Sequence, residues 1–347
     1  MPFQGNIVRV VPEQLRAGMT VALDVKGIYG DMVLRANTII TTSHIKRILI
    51  SGSGSVYIYS QPNEASKRVI IERDVENKQE MLRDEMFNIS ESREFNQTTL
   101  YEMITDAVGL AENMGGISKY LQIMKEKNEY TFTHSMSVGM MSNLYGKWMK
   151  LTGAEMNDLT VASSMHDVGK LSIDIELLDK PGKLTFDEFA AMKKHVDHGC
   201  ELLEISKAPE RIIRAVSEHH EKSDGSGYPY GKKRGDISVL GAMLAITDVY
   251  DALVSKRAYR DAMCPFKAME LMYKDRFGHF KFDFLDTFVE NIVYAFMGAV
   301  VELSDGRVGE IVFVNPNDWL RPYIRIEGGE IFNMQSDPNV KIDKVIT

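Results

Sequence analysis

A histidine and an aspartate sit side by side in Ser163-Ser164-Met165-His166-Asp167-Val168-Gly169-Lys170, at the end of an apolar helical run. An imidazole nitrogen and a carboxylate oxygen leaving the backbone together suit a hard or borderline divalent cation. Lys170 adds a positive charge beside them, a sensible place to neutralise a phosphate oxygen. Gly169 is expected to let the chain turn just after the pair. Such a pair alone is common by chance, so its company decides its meaning. The chain holds 8 histidines, and six of them, His134, His166, His195, His198, His219 and His220, fall in one helical stretch together with Asp167 and Asp248. Setting His198 aside, five histidines and two aspartates are more than one octahedral ion needs. They fit a dinuclear site in which one aspartate bridges, with two ions roughly 3.5–4 Å apart activating a water and holding a phosphoryl group. The mixed imidazole and carboxylate set points to two divalent ions, iron or manganese, with zinc, cobalt and nickel compatible; magnesium alone would prefer oxygen ligands. His198, three residues after His195, reads as surface or supporting, and His279 as structural.

Ligands this far apart in the chain need helices that face one another around a common core. From Thr98 to about Phe296 the apolar pattern is helical. Leu100, Met103, Ile104, Val108 and Ala111 form one stripe, and Met136, Met140, Leu144 and Trp148 a second. Phe186, Phe189, Met192 and Val196 mark a third, read as a core face. Ile212, Ile213 and Val216 lead a fourth, and Leu240, Met243, Leu244 and Ile246 a fifth. Thr185 with Glu188 three residues on reads as a capping box, and Pro209 suits a helix start. On this pattern His134 lies early in one helix, His166-Asp167 ends the next, and His195 lies in the third. His219-His220 ends the fourth and Asp248 lies in the fifth. A carboxylate at Asp248, directly after the apolar run Met243 to Thr247, is costly to bury unless a cation or strong donor meets it. The 21 methionines read as adaptable core filler.

The flanks differ. Residues 1–60 read as a β-rich accessory or sensory region, with a short helix from Ser43 as N-cap to Leu49 and His44 on its surface. Residues 61–97 are a polar linker with helical potential, 98–297 the helical domain, and 298–347 a small β-rich end. That end opens with a hairpin turning at Asp305-Gly306 and adds strands at 323–326 and 340–342. The expected fold is mainly α, a helical bundle flanked by small N-terminal and C-terminal β-rich regions. A net charge of −8 on 347 residues argues against DNA binding through a basic surface. Two cysteines fit a reducing compartment. With no leader-like start and no apolar run long enough to span a bilayer, the expectation is a cytoplasmic protein.

Taken in order, His134, His166-Asp167-Val168-Gly169-Lys170, His195 with Gly199, His219-His220-Glu221, Asp224-Gly225-Ser226-Gly227-Tyr228-Pro229 and Asp248-Val249-Tyr250-Asp251-Ala252-Leu253 resemble the HD-GYP family over about residues 125 to 275. The family comprises helical HD-type phosphohydrolases that open cyclic di-GMP. The resemblance implies His134, His166, Asp167, His195, His219, His220 and Asp248 as metal ligands, with Asp167 bridging and catalytic. It implies that Lys170 contacts the scissile phosphate and that Gly227, Tyr228 and Pro229 shape the substrate mouth. It also places Asp251, Arg257 and Arg260 against guanine or phosphate. A third metal in some members uses a glutamate four residues before the first histidine; here Tyr130 stands there, with Glu129 one residue off, which favours two metals. Ala258 replaces a common proline. The implied product is pGpG, with GMP a further step. The alternatives are a cyclic-dinucleotide receptor or adaptor with little turnover, and an enzyme for another cyclic dinucleotide such as cyclic GMP-AMP. Protein partners would dock through the Gly227-Tyr228-Pro229 loop and the terminal β regions, and a homodimer is compatible with the sequence.

Overall fold

The computed structural model describes residues 7–59, 64–126, 130–256 and 261–346. Two compact units form, Met1–Arg83 with Thr98–Asn128, and Asp84–Gln97 with Glu129–Thr347.

In the first unit, short β-branched runs make β1 (Ile7–Val10), β2 (Val25–Lys26) and β3 (Met32–Leu34). These are followed by α1 (Thr42–Ile50) and β4 (Val56–Tyr59). β1 pairs antiparallel with β4, and β2 with β3. Val21, Val33, Ile40, Ile48 and Val56 form their small apolar core. The cap of α1 is Thr41, not Ser43. The Thr41 hydroxyl accepts from the His44 backbone N–H, and the His44 ring reaches back to the Thr41 N–H. His44 is therefore half of a capping box rather than a free surface residue. The polar stretch after β4 is the long helix α2 (Glu64–Glu91). Helices α3 (Gln97–Asn113) and α4 (Ile117–Lys125) follow. Their residues from Thr98 onward pack in this first unit, and the α3 stripe of Leu100, Met103, Ile104, Val108 and Ala111 is buried.

The second unit carries the histidines. Its helices are α5 (Tyr130–Trp148), α6 (Gly153–Met165), α7 (Ile175–Leu178), α8 (Phe186–Lys193), α9 (His195–Ile205), α10 (Glu210–Glu218) and α11 (Val239–Val254). Capping boxes at Thr152-Glu155 and Thr185-Glu188 fix where α6 and α8 begin, and Pro209 caps α10. α5, α6, α10 and α11 pack on one another, with Met136, Met140, Leu159, Ile212, Val216, Met243, Leu244 and Ile246 buried between them. Helices α12 (Pro265–Lys274), α13 (Arg276–His279) and α14 (Phe282–Tyr294) close the helical part. Then come β5 (Val300–Leu303), β6 (Val308–Asn315), β7 (Asp318–Ile326), β8 (Ile331–Asn333) and β9 (Ile342–Ile346), antiparallel in the order β8-β7-β6-β5-β9. Gly306, at φ +85°, makes the β5–β6 turn as its Asp-Gly pair suggested. The three-residue strand β8 had no sequence signal.

One stripe is not a core face. No residue of α8 is buried, and Phe186 and Phe189 are 87% and 46% exposed. Only Val196, beyond the helix, is in the core. Among the described residues no helix is long and apolar enough to cross a membrane.

Candidate metal centre

The seven candidate ligands named above converge. α5 brings His134 and the end of α6 brings His166 and Asp167. α9 brings His195, the residues after α10 bring His219 and His220, and α11 brings Asp248. All but His220 are buried. Asp167 sits among three imidazoles: its carboxylate lies 3.7 Å from His134 Nε2, 3.4 Å from His166 Nε2 and 3.6 Å from His195 Nε2. Asp248 answers from the other side, 3.0 Å from His134 Nε2, 3.8 Å from His166 Nε2 and 3.6 Å from His220 Nδ1. Three overlapping groups have ligand atoms within 4.8 Å of one another: His195, His219 and His220; His134, His166 and Asp248; His166, Asp167 and His219.

The backbone aims three of these rings. His166 Nδ1 donates to the Ser163 carbonyl at 2.8 Å, His195 Nδ1 to Met192 at 2.7 Å, and His219 Nδ1 to Val216 at 2.5 Å. Each acceptor lies three residues back, where the last turn of a helix leaves carbonyls unpaired. Committing Nδ1 as donor leaves Nε2 with a lone pair directed inward. His195 Nε2 and His219 Nε2 then face each other at 3.4 Å. The buried His166 Nε2 has no hydrogen-bond partner among the described residues. Lone pairs gathered this way repel unless a cation lies among them, and an orphaned buried nitrogen costs energy. The donor set therefore fits metal ions. Burial keeps these imidazoles neutral: it lowers His166, His195 and His219, and brings His220 down to about 3.

His134 differs. Burial lowers its basicity, but hydrogen bonds to Asp248 and Asp251 outweigh that and raise it to about 9. Its Nδ1 donates to Asp251 Oδ2 at 2.7 Å. Asp251 is fully buried behind this ring and also accepts from the hydroxyls of Ser137 at 2.6 Å and Ser255 at 3.0 Å. The resemblance set Asp251 against substrate; here its buried carboxylate lies behind the His134 ring, where a partner of that kind would orient a ligating imidazole. Burial alone would raise Asp248, yet the His134 hydrogen bond and neighbouring imidazoles hold its carboxyl far below the usual range.

The chain turns at Gly169 as expected, and the close packing there also needs a glycine. It lies in a 3₁₀ turn, Val168–Ser172, pressed on α9. A Cβ there would stand 2.0 Å from the His195 carbonyl oxygen and 2.4 Å from the Gly199 nitrogen. The two glycines let the aspartate-bearing turn touch the helix that carries His195. Lys170, partly exposed at the edge of the ligand set, donates to Asp167 Oδ2 at 2.5 Å.

The loop over the centre is braced by two acids, Glu221, which stands in the family motif without an assigned role, and Glu218, which no motif named. Buried Glu221 accepts from the backbone N–H of Tyr230 at 2.7 Å and of Lys232 at 2.9 Å. Buried Glu218 accepts from Lys232 Nζ at 2.8 Å and Ser238 N–H at 2.8 Å. Adjacency to the ligand pair was the available signal for both. Gly227 lies against the strand of backbone it covers: a Cβ would meet His220 O, Glu221 Cα and Lys222 N at 2.5 Å each. Tyr228 then lays its ring on His220, centroids 4.6 Å apart, with Pro229 next to it. His198 is half-buried and outside the ligand set, and His279 contacts Lys222 away from it. Glu129, Arg257, Ala258 and Arg260, and the side chain of Tyr130, lie outside the described residues.

The helical part of the chain is similar to known proteins. A family model described as HD domain matches residues 119–283. The chain is 31% identical over 204 residues to a cyclic di-GMP phosphodiesterase of Pseudomonas aeruginosa, covering 58% of this chain and 49% of the relative. It is 36% identical over 149 residues to a cyclic di-GMP phosphodiesterase of Thermotoga maritima, covering 41% and 40%. It is also 39% identical over 155 residues to 3'3'-cGAMP-specific phosphodiesterase 2 of Vibrio cholerae, covering 44% and 28%. The matched region spans less than half the length of each of these relatives.

Proposed function

We propose, from the premise that the helical segment of this chain belongs to the HD-GYP family, that the protein is a metal-dependent phosphodiesterase that opens cyclic di-GMP to pGpG, with GMP as a further product. The observation that carries this reading is Asp167, buried among His134, His166 and His195 with Lys170 at its edge. A carboxylate so placed can bridge two ions, and the ammonium beside it can meet a phosphate oxygen.

His134, His166, Asp167, His195, His219, His220 and Asp248 would hold two divalent ions, with iron or manganese the best match to the donors and zinc, cobalt and nickel compatible. Bound there, such ions supply Lewis acidity toward the phosphoryl oxygens and lower the pKa of water. The chain's own residues do the rest. The carbonyls of Ser163, Met192 and Val216 hold three imidazoles in the binding tautomer. Asp251 holds the fourth. Lys170 is proposed to neutralise charge on the phosphate as it develops. Gly227, Tyr228 and Pro229 shape the mouth, and Arg257 and Arg260 are proposed to contact guanine or phosphate. Residence in the cytoplasm belongs to the same reading, supported by two unpaired thiols, Cys200 and Cys264.

The test is hydrolysis of cyclic di-GMP by anaerobically purified protein, with metal content measured on the same sample. Linear product with about two metals per chain is expected. A fully metallated sample giving no product from any cyclic dinucleotide would overturn the enzyme reading. A second reading, 3'3'-cGAMP as the preferred substrate, is favoured by the similarity to the Vibrio cholerae enzyme named for it. Competition between the two dinucleotides decides between them.

A further inference from the structure

The exposed side of α8 holds aromatic surface that the fold does not use. Phe189 is 46% exposed, on a helix none of whose residues is buried. Its ring stands edge-to-face with Tyr228, centroids 6.1 Å apart and planes at 82°. Tyr228 in turn lies on the ring of His220, centroids 4.6 Å apart. Lys193, one turn along α8, puts its ammonium 5.2 Å from the Phe189 centroid and 5.7 Å from that of Tyr228. A row of rings thus runs outward from a metal-ligand histidine, with one cation held over its outer end.

We propose that Phe189, Tyr228 and Lys193 form a base-binding shelf, on which a purine of the dinucleotide stacks against Phe189 while Lys193 donates to the acceptor edge of that base. The inference rests on the cyclic-dinucleotide reading above and names the residues that would select for it. A phosphate met by Lys170 leaves the bases to reach toward solvent, and the row of rings runs from His220 to the exposed Phe189. An exposed phenylalanine costs solvation unless something covers it, and base–aromatic stacking accepts any purine face. Guanine offers two adjacent acceptors, O6 and N7, that suit a lysine donor, whereas adenine offers N7 beside a donor. The shelf therefore favours guanine. If Phe189 served only to prop Tyr228, it would need no open face and no cation held above it.

The experiment compares wild type with Phe189→Ala, Phe189→Trp and Lys193→Gln, each checked for metal content. Three readouts are taken: kcat/KM on cyclic di-GMP, kcat/KM on methyl p-nitrophenyl phosphate, which has no base, and the Kd of cyclic di-GMP. For Phe189→Ala the ratio of the two kcat/KM values is expected to fall by roughly ten- to a hundredfold, mainly through KM, with Kd weakening in step. Phe189→Trp should restore the ratio, and Lys193→Gln should reduce preference for cyclic di-GMP over cyclic di-AMP. Equal loss on both substrates in Phe189→Ala would show a propping role through Tyr228 and overturn the shelf, as would a wild-type ratio. If the wild-type chain proves inactive on every diester, the enzyme reading falls on its own. The Kd comparison still decides the shelf: weakening by Phe189→Ala supports it and an unchanged Kd overturns it.

Discussion

The floor of the site and its rim are built on opposite terms. On the floor, His134, His166, Asp167 and His195 are buried and each is fixed by a named partner. At the rim, Phe189 and Tyr230 stand 46% and 60% exposed, the first edge-to-face with Tyr228 and the second beneath the Lys232 ammonium. The floor has little freedom because every polar group there is paired, or faces other ligand atoms, in a low-dielectric surround. The rim can be repacked by substrate at little cost. Under the proposed function, the difference separates chemistry from selectivity: floor substitutions should act on all substrates alike, and rim substitutions on their discrimination.

Breaking the floor at its centre should have the largest effect. Asp167→Asn is expected to cut turnover at least on the order of a thousandfold and to lose metal, with circular dichroism unchanged. Retained metal with full activity would refute the bridging role. Gly169→Ala comes next. Its methyl group would press on the His195 carbonyl, so thermal melting should fall by an amount matching roughly 1–3 kcal/mol or more, with metal loss alongside. A variant melting like wild type would mean that the turn is free to move.

Asp251→Asn should weaken metal binding about 10- to 100-fold while the protein stays folded. Calorimetric titration of metal into apoprotein measures this. A rise in KM for cyclic di-GMP with unchanged metal affinity would return Asp251 to the substrate role the sequence suggested. Protons give a further handle on the same residue. His134 is raised to about 9 between Asp248 and Asp251, so in the metal-free protein it is charged at neutral pH. The stability from that proton is complete below the unfolded histidine value of about 6.5 and is lost as pH rises through about 9. Metal at Nε2 must displace the proton, so apparent affinity should rise about tenfold per pH unit from 7 toward 9, with proton release visible in buffers of different ionisation enthalpy. A flat profile would remove His134 from the linkage. The smallest effect is expected away from the site. Lys180 pairs with Glu188 at the start of α8, both partly exposed. Lys180→Gln should change stability by about 1 kcal/mol or less in denaturant melts.

The residues that meet on the floor could be picked out from the chain because histidine is scarce in it and their placement on successive helices shows. The capping box at Thr185-Glu188 and the Asp305-Gly306 turn were legible for a similar reason, since each motif satisfies its own backbone within a few residues. Other local readings failed where two solutions competed. Thr41 rather than Ser43 caps α1, because His44 completes a reciprocal bond with Thr41. Phe186 and Phe189 have core spacing but open surroundings, because periodicity tells that residues share a face and not what that face meets. The loop contacts of Glu218 and Glu221 carried no periodic signal, since those partners lie 9 to 20 residues onward in an irregular loop, and only the Arg214–Glu218 pair shows helical spacing.

By itself, the sequence determined the mainly helical core with its β-rich ends and the placement of the candidate donors along successive helices, apart from the break between α8 and α9, since these follow from side-chain chemistry and short-range backbone rules. Only the tertiary structure decided that Asp251 backs His134, that Gly169 and Gly199 press together, and that α8 turns its aromatics outward beside Tyr228. Those facts depend on which faces meet across more than a hundred residues of chain in the case of His134 and Asp251. Contact at that range is set by the packing of whole helices, and no local pattern encodes it.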